Sequence, residues 1–200
     1  MLEAAAIFLA TAAYGALHSL LAASGAKQWA LARFGPRAKR IYRLTYNAVA
    51  LVSFIPVFAL LAWHPGKVLY QISLPWLALA LAGQGASMVL LAIGLLQSDT
   101  WSFLGLRQLA DGESSDPPSL IINGLYRWVR HPLYTAGLVL IWLTPVMTTG
   151  VLALNLALTA YIALGYRLEE RRLVAEFGAA YLDYQARVPA LIPRPWEPIA

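Results

Sequence analysis

Uncharged apolar runs as long as a bilayer is thick constrain this chain more than any other feature. Residues from about Leu2 to Ala23, Leu44 to Trp63 and Leu74 to Leu96 hold a single charged side chain between them, Glu3. A helix needs roughly 17 to 25 such residues to cross the hydrocarbon core. The period-two alternation of a transmembrane barrel is absent from these runs, so the spans read as helices. Composition agrees, with 60% hydrophobic and 12% charged residues against about 25% charged in a soluble domain.

The pattern predicts an all-α integral membrane protein with about five transmembrane helices, forming one membrane domain over 1–200. A three-helix part covers 1–97, a cytoplasmic loop 98–131, and a helical hairpin with a C-terminal segment 132–200. The first run lacks the basic n-region and small-residue cleavage site of a signal peptide, so it is expected to be retained. Lys27, Arg33, Arg37, Lys39, Arg40 and Arg43 follow it with no acidic neighbour. That loop is therefore expected in the cytoplasm, with the N-terminus outside. Topology thus accounts for the net charge of +5, and no nucleic-acid partner is expected.

Pro56 is expected to kink the second span, and His64-Pro65-Gly66 to form an outer turn. Gly83, Gly85, Ala86 and Gly94 make the third span a surface for close helix packing. Ser98-Asp99-Thr100 reads as a helix stop, and 111–118 as a solvent loop. Pro132 suits the first position of a helix. Span four is placed at about Leu133 to Met147 and span five at about Val151 to Tyr166, joined tightly at Thr148-Thr149-Gly150. A charged amphipathic segment and an extended tail, Val188 to Pro193, follow. Five crossings leave the C-terminus cytoplasmic.

The hairpin returns Arg130 and His131 to the same side as Glu169, Glu170, Arg171 and Arg172. A structural reading makes these ordinary charged span ends, snorkelling into headgroups. It suits Arg127, Arg171 and Arg172 better than the two glutamates, because a helix C-terminus and anionic lipid both disfavour negative charge. The glutamates call for cationic partners: Arg167 and Arg171 stand three before and one after Glu170, Arg130 is available across the hairpin, and a purely structural ion-pair network is the other reading. Absence of cysteine removes thiolate chemistry. His18, His64 and His131 do not make a zinc spacing; His18 with His131 is a conceivable haem pair. No phosphate-binding glycine loop or nucleophile elbow is present.

Gly124-Leu-Tyr-Arg-Trp-Val-Arg130-His131-Pro132-Leu-Tyr134, followed by Glu169-Glu170, Leu173, Phe177-Gly178, Tyr181, Tyr184, Val188-Pro189 and Pro193, resembles the isoprenylcysteine carboxyl methyltransferase and phospholipid methyltransferase superfamily. Ala16-Leu-His18-Ser19 and Gln97 to Gln108 are similar to its methanethiol S-methyltransferase and NnrU-like relatives. The resemblance implies a methyltransferase of the bacterial cytoplasmic membrane that binds S-adenosylmethionine in a cytoplasmic pocket. The implied cofactor residues are Gln108, Leu125, Tyr126, His131, Pro132, Leu133, Tyr134, Glu169, Glu170 and Tyr181. Arg130 and Arg187 are the implied catalytic residues, orienting an acceptor carboxylate, a role that lapses for a thiol. No metal is needed. The expected partners are membrane lipid and a small or lipophilic thiol or carboxylate. An NnrU-like accessory protein without methyl transfer and an NADPH-dependent sterol-type reductase are the alternatives.

Overall fold

The computed structural model describes residues 1–98, 100–111 and 119–194. In chain order the elements are α1 (Leu2–Ala22), α2 (Ser24–Phe34), α3 (Pro36–Trp63), β1 (Val68–Gln71), α4 (Trp76–Gln97), α5 (Thr100–Leu104), α6 (Leu106–Asp111), a 3-10 turn (Gly124–Arg127), α7 (Pro132–Trp142), β2 (Val146–Thr148), α8 (Thr149–Phe177) and α9 (Ala179–Arg187). The expected solvent loop falls largely outside the described residues, as does Asp99 of the expected helix stop.

Helices α1, α3, α4 and α8 are long and apolar enough to cross a membrane. At 1.5 Å per residue they measure about 32 to 44 Å, against a hydrocarbon core of about 30 Å. Only 6% to 22% of the most apolar stretch of each is buried within the protein. Leu51, Ile55 and Phe58 on α3 and Leu79, Met88 and Val89 on α4 face outward. So much continuous apolar surface suits lipid and not water. The chain is a multi-pass membrane protein, mostly helical.

Three features differ from the expected layout. The basic stretch is helical, forming α2 and the first turns of α3, which Pro36 opens at its first turn. The apolar stretch after His131 divides: α7 stops at Trp142 and residues 146–148 pair with β1 instead. Pro145 explains the break, because it lacks an N–H and disfavours helix in the residue before it; its carbonyl accepts from the Ile72 N–H at 2.8 Å. Finally, α8 runs unbroken through the charged segment to Phe177, since Arg, Leu and Glu are strong helix formers. Gly178, at φ +57, ends it in a conformation that glycine reaches without strain.

Two compact units emerge. The first contains α1 to α3, α5, α6 and the start of α8 through Leu158. Its core is Ile7, Val57, Ala153 and Leu154, with Tyr14 against Phe54 at 4.6 Å. The Tyr42 hydroxyl donates to the Leu21 carbonyl at 2.7 Å, and the Tyr46 hydroxyl lies 2.6 Å from His18 Nε2. The second unit contains α4, the 3-10 turn, α7, the rest of α8 and α9. There α4 packs on α7 where Gly83 sits under Leu143 and Gly94 under Leu133, and Gln84 donates to the Leu140 carbonyl at 3.1 Å. Tyr181 and Tyr184 share a face of α9 and, with Val188 just beyond its end, close on Leu173, Val174 and Phe177.

Candidate active site

The entry to α7 is irregular backbone, and the C-terminal tail satisfies it. Arg130 and His131 donate their N–H groups to the carbonyls of Pro189 and Ala190 at 2.9 and 3.1 Å. The Thr135 hydroxyl reaches the Leu191 carbonyl at 2.7 Å. Buried backbone groups require such partners, so the proline-bounded tail is held in place against the helix start.

Above this seam sits a cluster of charged side chains. Arg130 directs Nε and Nη2 to Glu170 Oε1, at 2.7 and 2.6 Å. Its Nη1 donates to the carbonyls of Gln185, at 3.1 Å, and Val188. His131 Nε2 lies 3.2 Å from the same Glu170 oxygen, while Gln185 Nε2 donates to Oε2 at 3.1 Å. Glu170 is thus an inward anchor with both oxygens occupied. Glu169 differs: its side chain is 47% exposed, accepts from the Tyr134 hydroxyl at 3.0 Å, and stands 3.8 Å from His131 Nδ1. Tyr134 stacks on the buried His131 ring at 5.5 Å, and Tyr166 approaches it at 5.7 Å.

With the imidazole neutral, Arg130, His131, Glu169 and Glu170 carry one net negative charge. The neighbouring phenols are raised first of all by burial. Burial pushes the Tyr181 hydroxyl up to about 12, with the Glu170 charge adding to the effect. Tyr184 is raised by burial and by Tyr181, and Tyr126 by burial and then the Glu169 charge. The Tyr184 hydroxyl donates to the Tyr126 carbonyl at 2.6 Å. The Tyr181 hydroxyl is buried without a well-formed hydrogen bond among the described residues, although Arg130 is near enough to oppose its shift.

An apolar cleft of about 480 Å³ lies within the same unit. Ala86, Ser87 and Leu90 of α4 form one wall, and Leu125, Trp128, Pro132, Ala136 and Val139 another. Gln97 Oε1 accepts the Leu125 N–H at 3.0 Å, holding the turn above it.

Of the residues expected in the site, Arg130, His131, Tyr134, Glu169 and Glu170 form the cluster, and Tyr181 borders it electrostatically. Leu125 and Pro132 line the cleft, Tyr126 carries the Tyr184 contact, and Leu133 packs over Gly94. Gln108 belongs to the first unit, where it donates to the Ser102 carbonyl at 3.3 Å. Arg187 pairs with Asp183 on the surface of α9. Sequence reasoning missed Tyr166, Gln185, Thr135 and the Gln97 contact. Tyr166 precedes Glu170 by one helical turn, a spacing that signals a shared face.

Known proteins similar to this chain include methanethiol S-methyltransferase 2 of Bradyrhizobium diazoefficiens, 38% identical over 183 residues that cover 88% of this chain and 68% of the relative. The methanethiol S-methyltransferases of a Pseudomonas strain and of Mycobacterium tuberculosis are each 34% identical over 188 residues. Those matches cover 90% and 89% of this chain, and 70% and 73% of the relatives. The chain belongs to the methanethiol S-methyltransferase family. It is a methyltransferase, and its membership extends the membrane reading from helices to chemistry. The Xenopus laevis protein-S-isoprenylcysteine O-methyltransferase is 33% identical over 93 residues, 42% of this chain and 31% of its own length, which places the family in the wider isoprenylcysteine superfamily. No family model matches the chain, and no solved structure does.

Proposed function

We propose that the chain transfers a methyl group from S-adenosylmethionine to a small or lipophilic thiol. The observation that carries the reading is the contrast between the two glutamates. Glu170 is saturated by Arg130, His131 and Gln185, whereas half-exposed Glu169 keeps acceptor capacity beside two aromatic rings. The donor set fits the cofactor. A site with one net negative charge complements a sulfonium and an ammonium, Glu169 suits ribose hydroxyls or the ammonium, and Tyr134 and Tyr126 offer faces for adenine. The first-turn N–H groups of Leu133 and Tyr134, which a helix leaves without internal acceptors, suit a carboxylate.

S-adenosylmethionine supplies the activated methyl group, so the protein has only to align the reactants and exclude water. In this reading Arg130 is a positioning residue, since its guanidinium is spent on Glu170 and two carbonyls. The cluster's own arginine is therefore already occupied, which favours a thiol over an isoprenylcysteine-type acid. The apolar cleft suits the acceptor's hydrocarbon part. The positive-inside rule, with α7 and its extended continuation taken as a fifth crossing, supports a cytoplasmic position for the cluster in a bacterial inner membrane, where a soluble cofactor is available.

Thermal unfolding of the detergent-purified protein with S-adenosylhomocysteine tests the reading. The ligand should raise the melting temperature by mass action. Glu169→Gln should weaken binding at least tenfold, on the order of the 1.4 kcal/mol that a lost hydrogen bond to a charged group costs, and Arg33→Gln should not. No shift with the ligand, together with no transfer of radiolabelled methyl to thiols, would sink the proposal.

A further inference from the structure

The basic shoulder formed by α2 and the start of α3 takes no part in the chemistry above. Topology alone accounts for its sign but not for its shape. Between Glu3 and Asp99 the chain has no acidic residue. Arg33, Arg37 and Arg40 are exposed and make no ion pair among the described residues. Arg37 and Arg40 stand three apart on α3, hence on one face. Beside them Trp29 is 66% and Phe34 61% exposed, with their rings edge to face at 6.0 Å, and the Arg33 guanidinium lies 5.7 Å from the Phe34 centroid.

The Tyr42 bond to the Leu21 carbonyl makes the end of α1 level with the beginning of α3. Helix α2 therefore caps the polar end of that hairpin, where headgroups meet it. Exposed aromatics beside three arginines match a headgroup zone with apolar chains below and phosphates above. Clusters of this kind recognise anionic lipid through charge and phosphate geometry.

We propose that this shoulder is a docking site for the headgroup of an anionic phospholipid, with the arginines on the phosphate and Trp29 and Phe34 among the upper acyl carbons. Phosphatidylglycerol added to the full chain in neutral detergent micelles should raise its melting temperature, and phosphatidylcholine or inorganic phosphate at equal concentration should not. The triple variant R33Q/R37Q/R40Q should lose at least nine tenths of the shift, while R171Q/R172Q keeps it. Independently of whether the triple variant folds, brominated phosphatidylglycerol should quench a share of tryptophan emission that disappears in Trp29→Phe. Equal shifts with phosphatidylcholine, a shift reproduced by inorganic phosphate, full retention in the triple variant, or identical quenching in Trp29→Phe would each overturn the assignment.

Discussion

At the scale of residues, the adjacent pair Glu169-Glu170 shows how one helical step of about 100° separates two identical side chains. Glu170 turns inward and completes a charge pair whose side chains are 11% and 13% exposed, while Glu169 stays accessible at 47%. No reading of the sequence distinguishes them, because both precede the same arginines. The Tyr181 hydroxyl carries a pH consequence. Its folded value of about 12 exceeds the ordinary 10, so the unfolded chain loses this proton first as pH rises. Its contribution to stability is complete below pH 10 and is lost between about pH 10 and 12. Melting temperatures measured across that range should fall less steeply for Tyr181→Phe than for the wild-type chain; parallel curves would contradict the assignment.

At the scale of elements, proline and glycine set the boundaries that hydropathy could not. Pro145 divides one apolar stretch into a helix and a strand, and Gly178 separates α8 from α9 so that Tyr181 and Tyr184 can fold back on Leu173 and Phe177. Gly105, between α5 and α6, has φ +88, and a Cβ there would stand 2.6 Å from the Leu44 backbone nitrogen. Gly105→Ala therefore combines left-handed strain with a backbone clash. It should destabilise the chain by about 2 kcal/mol or more, read as a lower melting temperature in detergent. Gly85→Ala, where nothing lies within 4 Å of the added carbon, should be nearly neutral or slightly stabilising. Equal losses at the two positions would show that local backbone strain is not the cause.

At the scale of the whole molecule, the apolar cleft draws one wall from α4 and the other from the 3-10 turn and α7, which come dozens of positions later in the chain. Ala86→Phe should fill it without crowding the core, because Ala86 is exposed on α4. Methyl-transfer assays should then show a raised KM for bulky thiols and little change for the smallest, while adenosylhomocysteine affinity stays the same. A parallel loss for all acceptors would argue against the cleft as the acceptor's place.

Hydropathy, proline geometry and motif spacing act locally, and they made legible the membrane class, the bounds of α1 and α4 to within a few residues, the helix start at Pro132 and the charged residues that were candidates for the cluster, but not the start of α3 or the end of α8. The sequence also carried the family resemblance that the relatives support. The end of α7 at Trp142 and the tail's hydrogen bonds to Arg130 and His131 emerge only in the folded chain. The same is true of the unequal burial of Glu169 and Glu170, and of the occupation of the Arg130 guanidinium. These depend on which distant backbone and side-chain groups satisfy one another once buried, and in a protein interior that requirement outweighs any local preference.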